Sequence, residues 1–489
     1  MTTFRTLSAV LALGGLLPGF QAASPQDEYK TKLTALSKST AAKHYAIADY
    51  LAGAQMFIWA REQLYKTIEF DPDHEGARKK LGYKKGDDGW ESDPNAKQEF
   101  GNKKKGEDAE RVRKQYVDRL DSAGRDLSRQ WGDLALFCKK SSMAAESAAA
   151  FSKALEYDPA NATARKELGY EKDPKGVWMS KAERELRKEM KDGIVKAAGG
   201  APTTRESQAE KAAGVKTKKR ESEHFVCESP HLADASMGTI LQHAEHTYAM
   251  FHKLFNQKDL FSGGKLTLLV LKDKTQHDRY VDNAYKGDVA RMQLLHDCRC
   301  TGGFPYMEIY QETAPDALLH DWAIHMVTQI LMEVWCGSSF CWVLEGMALH
   351  FCRLMKDTSL VHCVDLAGTS PRNKGKNYSD PADWPVICRV WVRENKDPDM
   401  TAIMKRTNFG EFDGADAVKS WSMVEYLLAQ HREKFIEFLM HVKELTQPKD
   451  GQKEGVVDAG VVEAALKKIW GWTINDLDYR WKQYVKVAY

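Results

Sequence analysis

This sequence has few long apolar runs, a small net charge and only one cysteine before residue 223. Beyond residue 23 no apolar run reaches eighteen residues, which excludes a membrane-spanning helix there. The formal net charge is only +2, so the overall charge gives no reason to expect a nucleic-acid partner or an acidic substrate. With 489 residues the chain is too long for one hydrophobic core, and two or three domains are expected.

The first 23 residues are typical of a secretory signal peptide. Arg5 precedes an apolar stretch over residues 7–17, Pro18 ends that stretch, and Ala22 or Ala23 is a small residue suited to cleavage. Residues 1–23 are therefore predicted to be removed, and the protein to be extracytoplasmic, either periplasmic or secreted. An uncleaved N-terminal anchor is the alternative. No cysteine follows the apolar stretch, which argues against a bacterial lipid anchor.

Cysteine is almost confined to the chain after residue 222. Only Cys138 of the nine cysteines precedes that point. Eight cysteines in an exported region favour disulfides, and the favoured pair is Cys336 with Cys341, because a bridge there would join two predicted helices. A cysteine–metal site and free buried thiols are the alternatives. The eight are Cys227, Cys298, Cys300, Cys336, Cys341, Cys352, Cys363 and Cys388.

An internal repeat marks the first half. Residues 69–83 match residues 156–170 without a gap, at an offset of 87. Upstream of each copy lies a pair of predicted helices that resembles a tetratricopeptide repeat, and the Asp-Pro dipeptide after each pair is expected to end the helix. The consensus positions are Trp131, Leu134, Phe151, Ala154 and Pro159 in the second copy and Ala48, Ala60 and Pro72 in the first.

Two helical repeat-like segments are therefore expected, over residues 24–92 and 125–190. Between them, residues 93–124 are rich in alternating charges and predict a charged linker or helix. Residues 191–222 contain Ala-Ala-Gly-Gly-Ala-Pro and a basic run, which predict a flexible linker. Two copies fall short of a free-standing array, so they must pack on a neighbour or bind a partner. A peptide-binding groove and a spacer or docking module are both open.

The most informative motif lies in the second half. Asp321-Trp-Ala-Ile-His325 is followed twenty positions later by Glu345-Gly. A zinc peptidase needs His-Glu-x-x-His on one helix and often a third ligand on the next helix. Side chains four apart share a helix face, so Asp321, His325 and Glu345 form the candidate metal site, whereas His320 lies five positions from His325 and does not. Trp322 occupies the position of the general base, and its indole cannot accept a proton.

This motif and the elements around it resemble the gluzincin metallopeptidases, specifically the peptidase MA-like domains of exported bacterial proteins. The resemblance covers residues 223–489 and implies a small sheet against helices and zinc-dependent peptide hydrolysis. His325 and Glu345 match ligand positions, whereas Asp321 and Trp322 depart from the family pattern. The other matching segments are residues 222–226 and 266–271 as strands, residues 342–348 and 421–427 as helices, and residues 471–477 with Trp481 as a terminal helix pair.

The expected fold is α+β and mostly α-helical, with tetratricopeptide-like helical units before a gluzincin-like domain that holds a small sheet. The leading functional expectation is an exported, non-hydrolytic pseudopeptidase that binds a protein or cell-envelope partner and does not span the membrane. No cofactor is expected, although the Asp321, His325 and Glu345 set leaves zinc or another divalent metal open.

Three rival interpretations remain. The first is an active metal-dependent hydrolase with an atypical Asp-His-Glu site, which would need a base such as Glu308 or Glu333. The second is a tetratricopeptide-type scaffold or adaptor in which the C-terminal region is inert. The third is an ordinary core helix with one satisfied histidine, in which Trp322 simply belongs to the buried face.

Overall fold

The computed structural model describes residues 24–489, except residues 88, 97–98, 100–101, 159, 173–177, 258, 338–339, 361–376, 407 and 448–457. The predicted signal peptide over residues 1–23, Pro159 and Cys363 therefore lie outside the described residues. The chain divides into two compact units, Met1–Asp158 and Pro159–Tyr489. Helices take 66% of the structure and strands 10%, which confirms the expected mostly helical α+β class.

The N-terminal unit is built around two helix pairs. Its elements are α1 (Pro25–Gly53), α2 (Phe57–Phe70), α3 (Glu75–Lys80), β1 (Tyr83–Gly86), β2 (Gly89–Ser92), α4 (Gly106–Lys140) and α5 (Ala144–Tyr157). Helix α1 packs on α2 and on α4, and α4 packs on α5. Ser24 accepts a hydrogen bond from the Asp27 backbone N–H, which fixes the start of α1. Buried alanines, among them Ala41, Ala48 and Ala60, allow the helices to approach closely.

Each copy of the sequence repeat ends in a short helix and a β-hairpin. In the first copy α3 leads into the antiparallel pair of β1 and β2. In the second copy α6 (Ala162–Glu167) leads into the antiparallel pair of β3 (Glu171–Lys172) and β4 (Trp178–Met179). Gly82 and Gly169 connect helix to hairpin with positive φ angles of 82° and 71°, which glycine adopts without strain. The hairpins were not predicted from the repeat pattern.

The C-terminal unit contains one six-stranded sheet surrounded by helices. After β4 its elements are α7 (Lys181–Lys196), β5 (Ala201–Pro202), α8 (Gln208–Ala213), β6 (Lys218–Glu221), β7 (Phe225–Ser229), α9 (Asp234–Phe255), β8 (Leu266–Leu271), α10 (Lys274–Ala284), α11 (Val289–His296), β9 (Cys300–Gly303), β10 (Tyr306–Tyr310), α12 (Asp316–Cys336), α13 (Cys341–Lys356), α14 (Trp384–Glu394), α15 (Met400–Met404), a 3-10 turn (Phe409–Glu411), α16 (Gly414–Thr446), α17 (Ala459–Trp470) and α18 (Ile474–Ala488).

The sheet has the strand order β5-β6-β7-β8-β10-β9. Strand β8 is parallel to β7 and to β10, whereas β9 is antiparallel to β10 and β6 is antiparallel to β7. Every residue of β7 and β8 is buried, as expected for central strands covered on both faces. The hairpin of β9 and β10 leads directly into α12, so the edge of the sheet lies next to the helix that carries His325.

The segment over residues 191–222 is not a flexible linker. It contains the end of α7, the strands β5 and β6 and the short helix α8, and Lys218 of β6 lies opposite Ser229 of β7. Its polar composition misled the sequence prediction because an outer strand with one exposed face also carries many charges. Similarly, the charged segment over residues 93–124 is helical from Gly106 onward, where α4 begins. The repeat-like segment over residues 125–190 is divided between the two compact units.

The core of the C-terminal unit is centred on α12 and α13. These two helices pack on each other, α12 packs on α9, and α13 packs on α16. Gly346 is what allows the last contact, because a Cβ atom at this position would lie only 2.6 Å from the Ser420 carbonyl oxygen of α16. Phe251, Trp322 and Trp421 are fully buried in the same cluster.

The eight cysteines that the structure describes are all free thiols. Cys336 and Cys341 are both buried, and the bridge predicted between them is not formed. Burial is the largest influence on the pKa of each thiol and raises both values, that of Cys341 to about 12.

In the described part of the chain, no helix is both long and apolar enough to span a membrane.

Candidate functional site

Helix α12 and helix α13 bring the predicted residues of the C-terminal motif into the core. His325 lies near the middle of α12, nine residues after the helix begins at Asp316, and Glu345 lies in the second turn of α13. Almost all of α12 from Leu319 to Met332 is buried, so its polar side chains must find partners inside the protein.

His325 and Glu345 are in direct contact. Their Nε2 and Oε2 atoms are 3.3 Å apart, and both side chains are fully buried. A third residue joins them: the Gln329 amide nitrogen lies 3.1 Å from His325 Nε2 and 3.1 Å from Glu345 Oε2. The three atoms thus form a compact triangle inside the core. The sequence prediction included His325 and Glu345 but missed Gln329.

Asp321, one turn before His325, makes hydrogen bonds to the chain that follows α13. Its Oδ1 accepts a hydrogen bond of 2.9 Å from the Thr358 hydroxyl, and its Oδ2 accepts one of 2.9 Å from the Leu360 backbone N–H. Burial raises the pKa of Asp321, and these two hydrogen bonds act in the opposite direction. Asp321 therefore anchors the chain that follows α13, whereas His325, Gln329 and Glu345 contact one another; the metal site of Asp321, His325 and Glu345 stays a prediction.

Two neighbours of the motif have structural contacts. Trp322 is fully buried among the apolar side chains of the core. His320 stacks on His243 of α9, with ring centroids 4.5 Å apart and an angle of 8° between the planes. Burial lowers the pKa of both histidines, that of His243 to about 4.

The carboxylates considered as replacement bases lie elsewhere. Glu308 of β10 is fully buried, and its Oε2 is 2.9 Å from His277 Nδ1. Glu333 is exposed near the end of α12. His350, five positions after Glu345, lies 3.7 Å from the Glu425 carboxylate, and burial lowers its pKa to about 3. None of these contacts involves the His325, Gln329 and Glu345 cluster.

The geometry suggests another register for the expected resemblance to a zinc peptidase. His325 and Gln329 are four apart on α12 and face Glu345 together, so in that comparison they would take the two helical ligand positions. The residue after the first ligand position is then Met326. Its side chain packs against the edge strand, because a Cβ atom built on Gly302 of β9 would lie 2.8 Å from Met326 Cε. The spacing of His325 and Gln329 was visible in the sequence, but glutamine is not a usual zinc ligand.

The cluster does not fit a catalytic zinc ion. The described residues contain no group of three His, Cys, Asp or Glu side chains that could hold a metal. Zinc prefers imidazole, thiolate and carboxylate ligands, and here a carboxamide takes one of the three positions. The Met326 thioether is at most a weak hydrogen-bond acceptor and cannot act as a general base. The Trp322 indole cannot act as a general base either.

Comparison with known proteins adds no family to this description. No protein-family model matches the chain, and no curated protein matches it significantly.

Proposed function

We propose that this chain is an exported, non-hydrolytic, peptidase-like protein that binds protein or cell-envelope components. One observation carries the proposal: His325, Gln329 and Glu345 lie within 3.3 Å of one another on two adjacent helices, and this set, compared with the site expected from the family resemblance, lacks one metal ligand and the base. Met326 follows the first ligand position in the register given by the geometry, and Trp322 does so in the register given by the motif alone.

The chemistry of peptide hydrolysis explains why these residues matter. A metal-bound water must lose a proton as it attacks the peptide carbonyl, and a carboxylate beside the metal accepts that proton. Neither Met326 nor Trp322 can accept it. The cluster is also fully buried at His325 and Glu345, so a substrate carbonyl has no direct approach to it. These features support loss of hydrolysis.

A binding surface is available at the edge of the sheet. Strand β9 is the last strand in the sheet order, and no other described strand pairs with its outer side. An unpaired edge offers backbone N–H and C=O groups to an extended polypeptide. Directly before β9, Val289 and Leu294 of α11 are each 66% exposed, and Phe304 after β9 is 42% exposed. We propose that these side chains add apolar contacts to the backbone groups of the strand edge, and we call Val289, Leu294, β9 and Phe304 the β9 surface.

The binding proposal is tested with an unfolded polypeptide, reduced and carboxymethylated lactalbumin. Leu294→Glu places a charge on the β9 surface and should weaken binding about tenfold, the value of one well-buried leucine side chain. Val195→Glu is the matched control, because Val195 is 79% exposed on α7 and lies outside this surface. Equal binding by both variants would contradict the proposed surface and favour the scaffold interpretation, in which the helix pairs of the N-terminal unit bind the partner.

The absence of hydrolysis is tested separately. The protein should hold well under one equivalent of zinc after dialysis, measured by elemental mass spectrometry, and should leave the lactalbumin probe uncut. About one equivalent of metal that is lost in Glu345→Ala, together with cleavage that the same substitution abolishes, would establish the rival metal-dependent hydrolase instead.

A further inference from the structure

Helix α11 (Val289–His296) lies directly before the edge strand β9 and has little apolar packing. All eight of its residues are described, and none of them is buried. Met292 and Leu295 are partly buried against a small apolar cluster of α8, β8 and α10. Most of the stability of a helix in a protein comes from the burial of one face, so α11 must depend on its polar contacts.

The first polar contact is made by His296, the last residue of α11. Its Nδ1 is 3.0 Å from Asp278 Oδ1, and its Nε2 is 3.1 Å from Asp282 Oδ1. These aspartates are four positions apart on α10 and share one face, so the imidazole lies across that face. A neutral imidazole has a single N–H, whereas the imidazolium donates from both nitrogens. Both contacts are therefore hydrogen bonds only when His296 is charged.

The second polar contact comes from His277 of α10, which reaches the same end of α11. Its Nε2 donates to the Leu295 carbonyl at 3.1 Å, and its Nδ1 is 2.9 Å from Glu308 Oε2. Because the carbonyl only accepts, Nε2 carries a hydrogen, and the contact with Glu308 needs a second proton between Nδ1 and the carboxylate. Without that proton, a lone pair of Nδ1 would face a fully buried carboxylate.

Both contacts weaken as the pH rises. Burial lowers the pKa of His277, but the hydrogen bond and the charge of Glu308 outweigh burial and leave this pKa above its ordinary value. Burial raises the pKa of Glu308. The stabilisation from His277 is therefore complete below its unfolded pKa of about 6.5 and is lost as the pH rises through the folded value. The bridge of His296 weakens in the same direction, because deprotonation removes one of its two N–H groups.

Three neighbouring groups keep their protonation state between about pH 5 and 8, where histidine side chains change charge. Burial raises the pKa of Asp278, but hydrogen bonds from Lys274 and His296 outweigh burial and lower this pKa below its ordinary value. The hydrogen bond to Asp278 raises the pKa of Lys274. Burial raises the pKa of the Cys298 thiol, which donates to the Leu294 carbonyl. Further titratable or charged side chains around the two histidines are Asp282, Asp297, Arg299, Cys300 and Tyr310.

We propose that His296 and His277 form a pH-sensitive latch, which holds α11 against α10 when both contacts are protonated and releases α11 as the pH rises. Helix α11 leads into β9 through residues 297–299 and carries Val289 and Leu294, each 66% exposed. Release therefore takes these two side chains away from the edge of the sheet. The effect on binding rests on the proposed function of the β9 surface, whereas the latch itself does not.

The latch is tested by hydrogen exchange of the full chain, followed by mass spectrometry on the peptide that contains α11. Rates are corrected for the pH dependence of exchange in unprotected amides. Protection of α11 should fall about tenfold between about pH 5.5 and about pH 8.5. His296→Gln should lower protection about threefold at the lower pH and leave it unchanged at the higher pH, where the charged bridge is already lost. His252→Gln replaces a partly exposed histidine of α9 and, as the matched control, should behave as the parent chain does.

A double-mutant cycle separates a latch from general destabilisation. Asp282→Asn alone should resemble His296→Gln, and the double variant should lose no more protection than either single variant, because each removes the same contact. Effects that multiply in the double variant would overturn the bridge. Equal protection of the parent chain at the two pH values would overturn the latch as a whole.

Binding of carboxymethylated lactalbumin tests the link to the β9 surface. The advantage in affinity of the parent chain over Leu294→Glu should fall to about half at about pH 8.5, because α11 then presents Leu294 for a smaller fraction of the time. An equal advantage at both pH values, with exchange changing as expected, would overturn this link. No advantage at either pH would contradict the proposed function, and hydrogen exchange would still decide whether the latch exists.

Discussion

Replacing Gln329 with histidine should turn the buried cluster into a zinc site. The variant would hold histidine at positions 325 and 329 of α12 and Glu345 on α13, which is a complete set of zinc ligands. Two ligands bonded to a tetrahedral zinc ion lie about 3.3 Å apart, given zinc–ligand bonds of about 2.0–2.1 Å. The three atoms of the cluster are separated by 3.1, 3.1 and 3.3 Å. The backbone therefore already holds the three side chains at nearly the required separation.

The size of the effect follows from the structure. Without zinc, Gln329→His loses the two contacts of the buried amide, which should lower the free energy of unfolding by about 1–3 kcal/mol. With free zinc at about 100 times its dissociation constant, binding should restore about 2.7 kcal/mol. At about 2 °C per kcal/mol for a unit of this size, zinc should raise the melting temperature of the variant by about 5 °C.

The assay compares this variant with Asp321→His after expression in zinc-supplemented medium. Elemental mass spectrometry should find about one zinc per chain in Gln329→His, and melting with and without chelator should show the shift. Asp321→His should hold no zinc, because residue 321 faces Thr358 and Leu360. Zinc in Asp321→His but not in Gln329→His would refute the register. Zinc in neither would refute the view that His325 and Glu345 are placed as ligands.

Three further variants test the packing. Lys419→Met should lower the free energy of unfolding in urea by about 3–5 kcal/mol, because the fully buried Lys419 Nζ is 2.5 Å from Asp478 Oδ1; a loss below about 1 kcal/mol would contradict this. Gly346→Ala should cost about 1–3 kcal/mol in thermal melting, since its Cβ would meet the Ser420 carbonyl at 2.6 Å; an unchanged melting temperature would show that α13 can shift. Burial lowers the pKa of His44 to about 4, so as the pH falls the unfolded chain is protonated at this residue before the folded chain is. The stabilisation linked to neutral His44 is therefore fully present above pH 6.5, and roughly 3 kcal/mol of it is lost as the pH falls toward 4. Unfolding followed by circular dichroism should show a free energy that depends less on pH in His44→Gln.

Local patterns in the sequence predicted much of the fold. The mostly helical α+β class was predicted, and hydrophobic periodicity indicated the buried helix around His325. The family resemblance placed strands over residues 222–226 and 266–271, and the structure has strands over Phe225–Ser229 and Leu266–Leu271. The repeat at an offset of 87 marked two related segments, and both end in the same helix and hairpin. Polar strands were missed, because β5 and β6 pair with neighbours that their own composition does not indicate.

The candidate site shows where sequence reasoning ends. His325 has a side chain four positions before it and another four positions after it on the same face of α12, namely Asp321 and Gln329. The sequence prediction took Asp321 as the partner of His325 and Glu345 as coming from the next helix, and it did not consider Gln329. Only the packing of α13 against α12 decided in favour of Gln329, because it placed Glu345 beside the later turn and left Asp321 to Thr358 and Leu360. Helical periodicity sets the face of a residue, but the partner across that face is set by contacts between segments distant in sequence.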